Sequence, residues 1–185
     1  MKVLGVSGSL RRGSYNRRLL LEASELLPED VEFELWEGLK AVPPYDEDDD
    51  GDAAPVAVTR LRAALAAADA VLFSTPEYNS SVPGPLKNAL DWASRPYATN
   101  VLRNKPVAVV GASTGAFGAI WAQAELRKIL ASIGARVIEG DVALGHAPER
   151  FDRDGRLVDD DVRRQLGEVV QALLSEARPR VLAAA

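Results

Sequence analysis

Lys2-Val3-Leu4-Gly5-Val6-Ser7 runs directly into Gly8-Ser9-Leu10-Arg11-Arg12-Gly13-Ser14-Tyr15-Asn16. The first six residues form a short apolar run of the kind that becomes a fully buried strand. The glycines and serines of 8–14 cannot continue that strand and predict a tight loop. Beyond them Leu19, Leu20, Ala23 and Leu27 recur at helical spacing, with Pro28 next, which predicts a helix over 15–27. Strand, tight loop and helix together open a βαβ unit.

The same rhythm repeats outward from that start. Residues 31–36 set Val31, Phe33 and Leu35 against Glu32 and Glu34, a strand with one less apolar face. A long irregular loop over 37–55 holds an acidic run between prolines. An alanine-rich helix is expected over 56–68, a third strand over 70–74, and a helix over 85–94 with proline in its first turn. The very apolar 107–111 is a fourth strand, followed by the loop 112–118 and a long helix to Ile133. Gly134 stands where a left-handed cap is expected. Residues 136–144 read as a fifth strand, Asp154-Gly155 as a turn, and 160–177 as a last helix striped by Val162, Leu166, Val169, Val170 and Leu173. The tail beyond Pro179 is expected to fray. Five strands alternating with five helices, without an internal repeat or a linker, imply one α/β domain over 1–185. Its core is a doubly wound five-stranded parallel sheet with helices on both faces.

Composition narrows the chemistry. The 185 residues carry a net charge of −5, with 47% hydrophobic and 26% charged residues, as in an ordinary soluble globule. Zero cysteines exclude a disulfide framework, a thiolate metal site and a catalytic thiol. A single histidine, His146, excludes a multi-histidine metal centre and makes a serine–histidine triad a poor reading. The acidity argues against nucleic acid as a partner. No apolar run approaches the roughly 20 residues that span a bilayer, and the opening run is too short for a signal-peptide core. No membrane partner and a cytoplasmic location are expected.

In doubly wound sheets, ligands sit beyond the carboxyl ends of the strands where the chain reverses direction across the sheet. Three loops there are unusual. In the first, Ser9, Arg11, Ser14 and Asn16 add hydroxyls, a guanidinium and an amide to the free N–H groups of a helix start, a donor set suited to phosphate. The plainer reading, in which Ser14 only caps the helix and the arginines are solvated, accounts for one serine and not for the cluster. The spelling excludes a P-loop, which needs lysine, and a dinucleotide fingerprint, which needs glycine at Ser7. In the second, Pro76, Glu77, Tyr78 and Asn79 offer a stiffened edge with a planar side chain, suited to bordering a flat ligand or simply to making a rigid turn. In the third, Ser113, Thr114, Gly115 and Gly118 leave backbone N–H groups open at another helix start.

Gly8-Ser9-Leu10-Arg11, Ser14 and Asn16, then Thr75-Pro76-Glu77-Tyr78-Asn79, then Pro83-Gly84 with Leu86-Lys87-Asn88-Ala89-Leu90-Asp91-Trp92, resemble the NADPH-dependent FMN reductase family. Its flavin, quinone, chromate and azo-dye reductases are of flavodoxin-like fold. The resemblance implies that Ser9, Arg11, Ser14 and Asn16 hold the FMN phosphate and that Pro76, Glu77, Tyr78 and Asn79 line the isoalloxazine. The stretch from Ser113 through Thr114 and Gly115 to Gly118 would approach its far edge. It further implies an NAD(P)H oxidoreductase with tightly bound FMN, NADPH or NADH as hydride donor and a small acceptor. Ping-pong turnover is expected, in a homodimer or homotetramer with residues 86–92 in or near the interface. FMN carries the difficult chemistry, so no catalytic side chain and no metal is required. Two alternatives are a flavodoxin-type electron carrier, against which the arginine in the first loop speaks, and a phosphate-binding regulatory module that takes up no flavin.

Other features carry less. Residues 46–51 begin like a calcium loop, but Ala57 stands where the bidentate glutamate belongs, so a solvated loop is the better reading. His146 is read as a polar loop residue. Trp36, Trp92 and Trp121 are read as core or subunit contacts, and Lys87 and Asp91 as a local helical pair.

Overall fold

A computed structural model describes residues 1–51 and 54–178. Its strands are β1 (Lys2–Ser7), β2 (Glu32–Trp36), β3 (Ala70–Thr75), β4 (Pro106–Ala112), β5 (Arg136–Val137) and β6 (Ala143–Leu144). Its α-helices are α1 (Tyr15–Ser24), α2 (Val56–Ala67), α3 (Gly84–Ala93), α4 (Ile120–Ser132), α5 (Ala147–Arg150) and α6 (Asp160–Ala177). Every strand pair is parallel, in the order β2-β1-β3-β4-β5, with β6 also paired to β4. The chain steps one way from β1 to β2 and the other way from β1 to β3, so the switch point lies between β1 and β3, as in flavodoxin-like folds.

Alternation along the strands feeds two cores. Leu4, Val6, Val71, Phe73, Val107 and Val109 face α2, α3 and α4, while Val3, Leu72, Ala108 and Val110 face α1 and α6. All residues of β3 and β4 are buried, which is why both read as unbroken apolar runs. Leu86, Leu90 and Trp92 of α3 are also buried within this chain's own core. The apolar side of α3 is therefore unavailable as a contact surface for a second subunit.

Two expectations need correction. The first helix stops at Ser24, not Leu27. Leu26 and Leu27 donate to the carbonyls of Ala23 and Ser24, three residues back, so the last turn tightens. Pro28 disfavours the helical region for Leu27, which accounts for the early stop. The fifth strand over 136–144 is two short pieces. β5 pairs with Pro106 and Val107 of β4, β6 with Gly111 and Ala112, and the chain between them leaves the sheet. Gly140 turns there at φ +138°, and its carbonyl accepts from Arg127 Nη2 at 2.6 Å in place of a ladder bond. The short α5 was not expected; Gly134 does cap α4 at φ +91°. The tail beyond Pro179 lies outside the described residues.

Candidate functional site

The loops after β1, β3 and β4 meet at the switch point, and one buried amide joins them. Asn16, in the first turn of α1, accepts at Oδ1 from Ser74 Oγ (2.8 Å) and from the Ala112 N–H (2.9 Å). Its Nδ2 donates to the Ala112 carbonyl at 2.9 Å. The side chain therefore pairs with a whole peptide group at the end of β4 while holding the end of β3. Such a buried, satisfied polar group fixes one arrangement, because losing any partner strands the others without water. The second Nδ2 hydrogen of Asn16 meets no protein acceptor among the described residues.

Ser14 caps α1 by accepting the Arg17 N–H at its Oγ (3.2 Å), and Ser9 Oγ accepts the Arg11 N–H (3.4 Å). Among the described residues, the N–H groups of Ser14, Tyr15 and Asn16 meet no protein acceptor. Free N–H groups at a helix start carry partial positive charge and point outward. Arg11 is exposed beside them, 6.0 Å from the Tyr15 ring centre, with no carboxylate partner among the described residues.

The cleft between the loops is small, about 110 Å³. Ser9, Arg11, Ser14, Tyr15 and Asn16 line it from the first loop, Pro76, Glu77 and Tyr78 from the second, and Ala112, Ser113 and Thr114 from the third. Of the residues singled out in the sequence, Asn79, Gly115 and Gly118 do not line it.

The reason is visible in the two later loops. Tyr78 and Ser81 bridge in antiparallel fashion across Asn79 (φ +53°) and Ser80 (φ +61°), a two-residue turn with both central residues left-handed. Asn79 is thus placed by its tolerance of that conformation. Two carboxylates lash this turn to α4 in opposite directions. Glu77 Oε2 accepts the N–H groups of Trp121 and Ala122, both at 3.0 Å, and so caps the start of α4 from another loop. Glu125 Oε2 accepts from Ser81 Oγ (2.6 Å) and from the Val82 N–H (3.1 Å). The Ser81 hydroxyl first, then the Val82 N–H, hold the Glu125 carboxyl below its usual range.

The loop after β4 is backed by β6. Ser113 N–H donates to the Leu144 carbonyl (2.9 Å), and the N–H groups of His146 and Ala147 donate to the carbonyls of Gly115 and Ser113, each at 3.0 Å. His146 therefore acts here through its backbone. Gly118 lies at φ +58°, where an added Cβ would sit 2.2 Å from the Ala143 carbonyl carbon. Gln123, buried on α4, donates to the carbonyls of Gly118 (3.0 Å) and Val142 (3.1 Å). Gln123, Glu125 and Ser74 were missed in the sequence. Each looks there like a routine polar position, and only the partner brought by folding distinguishes it.

Residues 1–149 match the family model for NADPH-dependent FMN reductase. The chain belongs to that family. It is 45% identical over 174 residues to an NAD(P)H-dependent FMN reductase of Pseudomonas aeruginosa, covering 94% of this chain and 93% of that one. It is 38% identical to a 2-hydroxy-1,4-benzoquinone reductase of a Burkholderia species, covering 97% and 98%. Among solved structures it resembles the flavoenzyme FerB, an NAD(P)H:(acceptor) oxidoreductase of Paracoccus denitrificans. That TM-score is 0.83 at 36% identity, with 95% and 96% of the chains covered. The residues of this FMN reductase fold fit the cofactor. Among the described residues, unmatched N–H groups, two hydroxyls and a guanidinium without a carboxylate partner suit a phosphate at one end, and Tyr78 with Ser113 and Thr114 suits a flat ring at the other.

Proposed function

We propose that this protein takes hydride from NAD(P)H onto bound FMN and delivers the electrons to a small quinone-type acceptor. The observation that carries the reading is the convergence of phosphate donors and a flat-walled edge in one cleft at the switch point. The family match and the reductases among its relatives support it. When bound, FMN supplies the hydride and electron chemistry. Arg11, Ser9, Ser14 and the start of α1 hold its phosphate. Tyr78, Ser113 and Thr114 border its ring and keep water from it. Asn16 holds the three loops in register, so the donor's reactive carbon meets a fixed target. Glu77 lines the cleft, but its carboxylate is engaged by α4, and no side chain is asked to transfer a proton in the hydride step.

One open face serves donor and acceptor in turn, which makes the kinetics ping-pong. A cleft of about 110 Å³ is well below the roughly 300 Å³ at which small-molecule pockets begin. A second subunit completing the enclosure accounts for the shortfall, and a homodimer or a pair of dimers is part of the proposal. Among the described residues no helix is long and apolar enough to cross a membrane. A cytoplasmic location is proposed with the cysteine-free composition as support.

Anaerobic mixing with NADPH or NADH tests the function. The purified protein should be yellow and should bleach within the turnover time, then recolour on adding a quinone. A protein that holds FMN but is not bleached by either donor would be an electron carrier. A protein that takes up no FMN would be neither.

A further inference from the structure

Just past residue 149, where the family match ends, the chain makes a short hairpin whose tip is the Asp154-Gly155 turn. Phe151 and Leu157 bridge across it in antiparallel fashion. The Asp152 N–H donates to the Arg156 carbonyl at 2.9 Å, and Asp152 Oδ1 accepts the N–H groups of Asp154 and Arg156, each at 2.9 Å. A carboxylate that ties its own turn in this way fixes the loop without outside help. The base is fixed too. Arg150 pairs with the Asp159 carboxylate, and Asp159 caps α6 by accepting the Val162 N–H at 3.0 Å. Phe151 and Leu157 are buried in the core that Leu19 and Leu20 of α1 share. The hairpin is thus a braced bracket that holds one ring against α1.

That ring stacks on Tyr15, with centres 5.8 Å apart and planes at 22°. Tyr15 is half-buried and lines the cleft, whereas Phe151 does not reach it. Arg18, on α1, lies 5.5 Å from the Tyr15 ring centre and 5.9 Å from that of Phe151. Its Nε passes 3.6 Å from where a Cβ on Gly155 would stand, so the hairpin tip flanks it. Arg11 lies 6.0 Å from the same Tyr15 ring. Among the described residues neither arginine meets a carboxylate at ion-pair distance. A guanidinium without a carboxylate is attracted to an aromatic face. Gripping an anion otherwise means freezing a long side chain that roams in water, and a ring that already holds the guanidinium near the anion lowers that cost.

We propose that Tyr15 is a positioning residue for Arg11: its ring, backed by Phe151 of the hairpin, holds the Arg11 guanidinium at the cleft, ready for the flavin phosphate. The inference rests on the FMN reading above and adds to it a residue from outside the three loops. The ring is what matters, because among the described residues the Tyr15 hydroxyl makes no hydrogen bond. Any influence of Phe151 on the phosphate must pass through Tyr15, since Phe151 does not line the cleft.

The test compares how tightly the full chain holds FMN and riboflavin, read from flavin fluorescence as the loaded protein is diluted. The preference for FMN over riboflavin isolates the phosphate, because a change that merely loosens the cleft weakens both flavins alike. Tyr15→Leu should lower that preference about 2–5-fold, and Tyr15→Phe, which keeps the ring, should restore the parent value. Phe151→Leu should lower it in the same direction. With Arg11→Ala already in place, Tyr15→Leu should change the preference no further. An equal loss of both flavins in Tyr15→Leu would overturn the proposal, as would a fall that persists without Arg11. A folded Phe151→Leu protein with the parent's preference would overturn it too; if that variant shows no cooperative urea transition, the two Tyr15 variants and the Arg11 background decide. Failure of the FMN reading looks different. Arg11→Ala alone would then leave the preference unchanged, whereas an Arg11→Ala loss without a Tyr15→Leu loss would remove only the positioning role.

Discussion

Arg11 and Arg12 are neighbours in sequence with different surroundings. Arg11 lines the cleft proposed for FMN, whereas Arg12 lines only an adjoining cavity. A hydrogen bond to a charged group contributes roughly 1.5–3 kcal/mol, so Arg11→Ala should weaken FMN about 10–150-fold. Arg12→Ala should leave FMN affinity unchanged. Riboflavin, lacking the phosphate, should bind the parent poorly and lose little more in Arg11→Ala. Flavin-fluorescence titrations check all three, and equal losses for FMN and riboflavin would refute the phosphate role. A second contrast separates two glycines of the third loop. Gly118→Ala forces a left-handed residue against the Ala143 backbone and should cost about 2–4 kcal/mol. Gly115→Ala, whose new Cβ would meet only Ser113 Oγ at 3.6 Å, should stay within about 0.5 kcal/mol. Urea unfolding separates them. At this scale the sequence is legible where chemistry is local: the serine cap and the exposed guanidinium follow from residue type. It is silent about Asn16 as a three-loop joint, because Ser74 and Ala112 are 58 and 96 positions away.

Among elements, hydrogen bonds hold the second loop to α4 at the end of the cleft proposed for the flavin ring. Glu77→Ala removes a cap made from a distant loop and should destabilise by about 0.5–2 kcal/mol. Its effect on FMN and riboflavin should be equal, unlike that of Arg11→Ala, because the ring wall moves and the phosphate donors do not. Glu125 adds a pH dependence. Its folded value lies below the ordinary 4.5, so its hold on Ser81 and Val82 is complete above that value and is lost as pH falls through the folded one. Exchange of the Val82 amide proton, corrected for the intrinsic pH effect, should therefore accelerate only on acidification below the ordinary carboxylate range. In Glu125→Gln it should be faster throughout and lack that step. A pH-independent parent would remove the lash from the account. Elements themselves are legible from period and punctuation, as β1, β3, β4 and α6 show. The division of 136–144 is not, since it depends on Arg127 reaching the Gly140 carbonyl from another helix.

Among the described residues, an aromatic group stays uncovered next to the cleft. Phe117 and Trp121 meet edge to face at 5.1 Å, yet stay 61% and 46% exposed, with Ile120 and Tyr78 exposed nearby. Because α3 keeps its leucines for its own core, this patch is where a second subunit is expected. Light scattering should find a dimer or tetramer at working concentration. Trp121→Glu should shift it toward the monomer and loosen FMN together. A parent that is monomeric throughout would remove the second subunit from the proposal. The sheet edges point the same way. β2 carries Glu32 and Glu34, both paired with Lys2, and the opposite margin is divided into β5 and β6. Charge on one border and discontinuity on the other deny any passing polypeptide a long row of unmatched amides to copy. The interruption after Val137 thus works as an anti-amyloid safeguard: crowded copies of this protein should associate through their aromatic patches and not zip into fibres.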